Sequence, residues 1–589
     1  MKQFFKTMFA SVFGVLIAFS IIIFGGISIL VGMALGSNSS TEYKPQANTV
    51  FKLTLSGTLS DQTTENPFAS FNGNDEENLS LTDVIKAIRI AKEDDNIKGI
   101  YLDVKDLHGG FAGFEAIHRE LLNFKNSGKF IVSYGDSYGQ GSYYLSSLAD
   151  SILVNPQGSI NLVGLASQGI FFKDLAAKLG IEFYIFKVGT YKSAVEPYFM
   201  DKFSDANREQ LTSFLGSIWN NMTMSISESR GIQQEKLIEL INSGIAMNDN
   251  QALIDSHLAD KLCYRSEVET TLKQMAGQDL EEKLATADIN KILSIKTNNK
   301  EKEDKIAVLY AEGEIKEDDD SFMGSMENVI SEKMVKELRD LAENDDIKAV
   351  VFRVNSPGGS AYISEQIWKA VTEVKAKKPI VVSMGDYAAS GGYYISCAAD
   401  KIIAERTTLT GSIGVFGVVN NFAGSFKKLA VTTDIVKTNT YADLGDVSRP
   451  MREDEKALIQ HSVERTYDLF LTRCADGRGM TKDAIDHIGQ GRVWTGEQAL
   501  EHGLVDALGS MDDAVQEAAT LANITDYSVI KANKEKDILS DYLEKIIGEA
   551  KLSLIKSYLG EEYPIFSTIE KVKSLNGIQA RMPFLTTGL

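Results

Sequence analysis

Three kinds of hydrophobic spacing follow one another along the chain. The first is an unbroken apolar run: after Lys2 and Lys6 no charge occurs from residue 7 to residue 41, and residues 8–35 are strongly apolar. About 20 helical residues cross a bilayer core of about 30 Å, so the run predicts one transmembrane helix. It exceeds the apolar core of about 7 to 15 residues in a cleaved secretory signal, which favours an uncleaved anchor. The flanking lysines put the N-terminus in the cytoplasm and the body outside it. The second spacing is that of strands, as in TVFKLTLSGTL (49–59) and KIAVLYAEGEI (305–315). The third is helical, and it recurs in a fixed order of amphipathic helix, buried strand and glycine turn, seen in DDNIKGIYLDVKDLHGG (94–110) and NDDIKAVVFRVNSPGGS (344–360). FIVSYGD (130–136) and IVVSMGD (380–386) likewise put a short apolar run before a glycine-containing turn and a helix. That order predicts α/β layers.

The paired motifs are an internal repeat. Shifted by 250 residues the chain falls on itself, with GDSYGQGSYYLSSLAD (135–150) on GDYAASGGYYISCAAD (385–400), and FKVGTYKSA (186–194) on VKTNTYADL (436–444). Near the end of each copy Leu258, Ala259 and Asp260 match Leu504, Val505 and Asp506, an offset of 246 that implies short changes in surface loops. The predicted organisation is an anchor over 1–36, a first repeat over 49–277, a charged connector over 278–304, a second repeat over 305–526 and an extension over 527–589. Within the extension, DILSDYLEKIIGEAKLSLIKSYL (537–559) has helical periodicity.

Composition narrows the function classes. At 589 residues, with 43% apolar and 24% charged residues, the chain is too long for one core and has an ordinary globular balance. A net charge of -20 argues against nucleic acid as a partner, because phosphate binding needs clustered Lys and Arg. Three cysteines far apart and six histidines without metal spacing predict neither a disulfide framework nor a metal site, and no cofactor motif is present.

Chemistry enters where the copies differ. The alignment sets Gln140 opposite Ser390 and Lys192 opposite Ala442, so one copy holds a candidate nucleophile and the other a candidate base. Ser390, in AASGGYY between a strand-like and a helical run, is predicted at a helix N-terminus with free amides beside it. A helix-capping serine has the same local pattern. NSPGG (355–359) can turn its amides toward a ligand, which makes Gly358 and Gly359, with Gly391, the candidate oxyanion hole. The first copy has His108 and Gly109 at the aligned positions, after Leu107, and is expected to keep the fold without the hole. Lys192 in TYKSAVEP can act as a base if burial between the copies lowers its pKa from about 10.4 by as much as 3 to 5 units; elsewhere it is an ordinary surface lysine. Ser412 in LTGSIGV is the candidate hydroxyl that orients it. Val415, Phe416 and Val418 read either as core or as a pocket for apolar side chains.

The joint order of anchor, TYKSAVEP, NSPGGS, ASGGYY and LTGSIGV resembles the signal peptide peptidase A (protease IV) family in its long form. The resemblance implies an α/β architecture of two tandem ClpP/crotonase-like domains after an N-terminal transmembrane helix. It implies a serine endopeptidase with Ser390 as nucleophile, Lys192 as general base and Ser412 orienting the lysine. It also implies homo-oligomeric, tetrameric assembly, residence in the inner membrane with the body on the periplasmic side, and remnant signal peptides as substrates. Two other readings of the residues stay open: a crotonase-type acyl-thioester enzyme using the same glycine turns, and a silent scaffold in which the Ser and Lys differences are drift. A Ser/His/Asp site would have to use His108 or His502.

Overall fold

The computed structural model describes residues 42–62, 78–247, 249–296, 301–317, 329–533 and 577–582, with isolated positions 14 and 17. The predicted anchor and the helix predicted over 537–559 lie outside the described residues, apart from those two positions. Among the described residues no helix is long and apolar enough to cross a membrane.

Each copy is built on a parallel sheet. In the first, strand Thr49–Ser60 pairs with Ile97–His108, which pairs in turn with Phe130–Tyr138, Ser151–Ile160 and the short Lys261–Leu262. In the second, Asp304–Glu312, Ile347–Ser356, Ile380–Ala389 and Lys401–Ala404 repeat that order and end on Ala507–Leu508. Strands such as IKAVVFRVNS are apolar almost throughout because helices cover both faces. Polar ties repeat as well. Asp150 and Asp400 accept from the amides of Ile131 and Ile380, and the hydroxyls of Tyr143 and Tyr393 each donate to a leucine carbonyl at 2.8 Å.

The borders are more structured than their composition foretells. Within 278–304, Thr286–Ala287 pairs with the first strand and Ile292 is buried in the first core. Past 526, Tyr527–Lys531 adds an edge strand to the second sheet. A few apolar residues anchor each of these otherwise polar stretches.

A third, mixed sheet joins the copies. Its order is Val329–Ile330, Glu314–Ile315, Gly358–Ser360, Gly577–Arg581, Val415–Asn421 and Glu182–Val188. The last two strands come from different copies and run antiparallel, Val188 opposite Val415 through Glu182 opposite Asn421. Phe416 and Val418 are buried against Ala194, Val195 and Tyr198, while Val415 belongs to the second core. This joint carries the chain into the turn that holds Lys192.

Candidate active site

Ser390 ends strand Ile380–Ala389 and starts helix Gly391–Ser396. Its φ of 56° and ψ of -111° are unusual for a residue with a β-carbon. The conformation is held by the Ser390 amide donating to the Gly411 carbonyl at 2.8 Å. Such strain at a strand-to-helix turn exposes the side chain to whatever stands in front of it. In front of it stands Lys192. The amine nitrogen lies 2.7 Å from Ser390 Oγ, 3.1 Å from Ser412 Oγ and 3.1 Å from the Ser412 carbonyl oxygen. All three side chains are fully buried. Burial alone holds the Lys192 pKa well below its ordinary value, because a charge loses its hydration there. Ser412 is itself fixed, its hydroxyl donating to the Gly491 carbonyl at 3.3 Å and its amide to that of Arg492 at 2.7 Å.

The glycines converge beside this trio. Gly358 and Gly359 have φ of 96° and 154°, backbone that favours glycine. A β-carbon on Gly358 would fall 2.7 Å from the Gly391 amide nitrogen, and one on Gly391 would fall 3.1 Å from Gly358 Cα. Both would also meet one further atom, the carbonyl oxygen of Ala580. Ala580 belongs to Gly577–Arg581, which lies antiparallel between Gly358–Ser360 and Val415–Asn421, with Ala580 opposite Gly359 and Gln579 opposite Phe416. The groove beside Ser390 thus holds an extended strand from the chain's own C-terminal part.

All six residues singled out in the sequence therefore come together. Sequence reasoning missed several others. Gly491 (φ 80°) is the floor under Lys192: a β-carbon there would come within 2.6 to 2.7 Å of the Lys192 N, Cα and Cβ. The turn is braced by a buried network. Ser193 donates to Asn207 Oδ1 at 3.0 Å, Asn207 donates to Glu196 at 2.9 Å, and Gln210 Nε2 donates to Ser193 Oγ at 2.9 Å. Gln210 Oε1 also accepts the Val493 amide from the other copy at 3.2 Å. Polar residues spaced along TYKSAVEP and the following helix were the available signal. The strand at 577–581 had none, since five residues with no clear alternation do not stand out from an extension read as helical.

The first copy has a different side chain at the equivalent position. Gln140, at the place of Ser390, donates to the Gly164 carbonyl at 3.0 Å and accepts from the amides of Val163 and Gly164 at 3.0 and 2.7 Å. It fastens the loop instead of offering a nucleophile. His108 pairs with Asp106 at 3.4 Å and His502 packs on Trp494, while Ser390 Oγ has Lys192 as its side-chain partner. Among the described residues no cluster suits a metal ion.

Comparison with known proteins gives the chain's family. The model of peptidase family S49 matches residues 123–279 and 372–525, once in each copy, and the Clp protease model matches 297–413. Protease 4 of Salmonella typhi is 36% identical over 553 residues, covering 91% of this chain and 88% of that protein. Protease 4 of Haemophilus influenzae is 35% identical, covering 77% of this chain and 75% of its own. The chloroplastic serine protease SPPA of Arabidopsis thaliana is 32% identical, covering 90% and 77%. With the family model present in both repeats and these relatives aligned over most of their length, the chain belongs to peptidase family S49 and is a serine-type peptidase with tandem ClpP-like domains.

Proposed function

We propose that the chain is a membrane-anchored endopeptidase that cuts remnant signal peptides with a Ser390/Lys192 dyad. The observation that carries this reading is the 2.7 Å separation between a desolvated amine from one repeat and a strained serine hydroxyl from the other. Neutral Lys192 accepts the Ser390 proton as Ser390 Oγ bonds to the peptide carbonyl carbon. The carbonyl oxygen becomes an oxyanion held by amides of Gly358, Gly359 and Gly391. As the C–N bond breaks, the Lys192 ammonium returns its proton to the leaving amine. Water then attacks the acyl-enzyme, giving its proton to Lys192, and Ser390 regains a proton as the acyl C–O bond breaks. Ser412 keeps the amine aimed throughout. The acyl-thioester and scaffold alternatives give no reason for a buried amine against a strained serine.

The groove supports an extended peptide as substrate, since Gly577–Arg581 already lies there as a strand between two others, with a carbonyl oxygen among the three glycines. The apolar run at 8–35 supports an inner-membrane anchor with the body on the periplasmic side, which would concentrate the enzyme near membrane-held peptides. The test is cleavage of a signal-peptide substrate and labelling by a serine-directed phosphonate. Ser390→Ala should abolish both. Lys192→Met should lower kcat by about 10^4 or more while the fold persists, of the order seen when one member of a catalytic unit is removed. Wild-type activity in either variant would refute the dyad, and a wild type that neither cleaves nor labels would refute the peptidase reading of this site.

A further inference from the structure

The strand that rests in the groove marks out positions along it. Gly577–Arg581 lies antiparallel between Gly358–Ser360 and Val415–Asn421, and the Met582 amide extends that ladder by donating to the Pro357 carbonyl at 2.9 Å. The Ala580 carbonyl oxygen stands against Gly358 and Gly391, where the proposed mechanism holds the carbonyl under attack. Arg581 therefore takes the place of the residue just past the bond to be cut.

Arg581 meets a carboxylate there. Ile315 pairs with Gly359, which sets Glu314 beside Gly358, and Gly358 pairs on its other side with Arg581. The three residues form one row across the sheet, and side chains in such a row project from the same face. Gly358 has no side chain, so that of Arg581 crosses it, and its Nη1 donates to Glu314 Oε1 at 2.5 Å. Both partners are largely buried, which limits screening of the pair by water. The residues on either side enter apolar surroundings: Ala580 is fully buried in the second core, and Met582 is buried in the first. The groove thus sets a seat for a cation between two apolar seats.

We propose that Glu314 is a specificity-determining residue, selecting peptides with Arg or Lys directly after the residue whose carbonyl is attacked. The assignment rests on the Ser390/Lys192 reading for where attack occurs. A basic side chain at that position crosses Gly358 as Arg581 does and gives its donor to Glu314. A neutral one desolvates the carboxylate without replacing the lost hydrogen bond, and an acidic one sets like charges together, so both are taken less well. A carboxylate that merely fastened the resident strand would act differently. One competitor lowers kcat/KM for every peptide by the same factor, so the ratio between two peptides is free of it.

The test is that ratio, measured on the full chain in detergent. Octapeptides GIQAXMPF with Arg, Met or Glu at X are compared by kcat/KM, and the bond cut is read by mass spectrometry. Wild type should cut after Ala and favour Arg over Met by about 10-fold or more, the worth of a hydrogen bond to a charged group, with Glu below both. Glu314→Gln, close in shape, should erase the Arg preference, and Glu314→Lys should favour Glu over Arg. Equal cleavage of the Arg and Met peptides by wild type, a main cut elsewhere than after Ala, or an Arg preference kept in Glu314→Gln would each overturn the proposal. If no peptide is cut, the peptidase reading fails, and Glu314 is judged separately by fluorescence anisotropy of the labelled peptides on the Ser390→Ala chain. Tighter binding of the Arg than the Met peptide, lost on adding Glu314→Gln, supports the assignment, and equal binding overturns it.

Discussion

Lys192 is an amine kept from water in a place where a cation is costly, and this has a measurable consequence for the folded protein and, on the proposed dyad, for catalysis. Its pKa in the fold lies below that in the unfolded chain, near 10.4. Between those two values the unfolded state binds a proton that the folded state does not, so stability rises with pH across that window and levels off above it. Below the depressed value the folded protein carries the buried charge and its full penalty. Lys192→Met, similar in volume and uncharged, is expected to raise the melting temperature at neutral pH and to flatten its rise on the alkaline side. Thermal denaturation from about pH 6 to about pH 10 reads this, and a variant that melts below wild type across the range would contradict it. On the proposed dyad, wild-type kcat/KM for peptide cleavage should climb with pH through the same depressed value, since a base must be neutral to accept the serine proton.

At the scale of elements, the site depends on a turn from one repeat seated on a turn from the other. Gly491 lets the Lys192 backbone approach, and Gly491→Ala would force both a side chain into left-handed backbone and a collision with Lys192 backbone atoms. The expected result is a fall in kcat of about 10^2 or more from displacement of the amine by about 1 Å, with KM little changed. Steady-state kinetics checks it, and a variant as active as wild type would remove Gly491 from the positioning role. This is also where the sequence stopped being legible. Ser390 and Lys192 stood out because the repeat supplies a control at each position, Gln140 and Ala442. Gly491 has no such contrast, since a glycine in QGRVW reads as any turn. The pairing of Glu182–Val188 with Val415–Asn421 was hidden for another reason: periodicity identifies a strand but does not say across which copy it pairs. The strand at 577–581 is defined by its partners on both sides rather than by its own spacing.

At the scale of the whole molecule, the copies are pinned by a buried ion pair as well as by the joint at the site. Arg353 of the second copy donates to Asp61 of the first at 2.8 and 3.1 Å, and also to Ser383 Oγ and the Met384 carbonyl. Arg353→Met should cost about 3 to 5 kcal/mol by leaving Asp61 buried without its partner, and adding Asp61→Leu should recover most of that loss. Denaturant unfolding of the two variants checks the pair; a double variant no more stable than the single would show that packing, not charge, is at stake. The strand at Gly577–Arg581 has a different consequence for the whole molecule. A peptide entering the groove as proposed would meet a strand of the same chain already in its place. On that reading the chain competes with its own substrate, and a peptide supplied at high local density displaces the strand more readily than a scarce one. Removing residues 577–589 should then lower KM for a short peptide several-fold, and the free octapeptide GIQARMPF should inhibit the shortened chain more strongly than the full one. Equal KM and equal inhibition in the two chains would mean that the resident strand never yields its place and that substrates enter by another path.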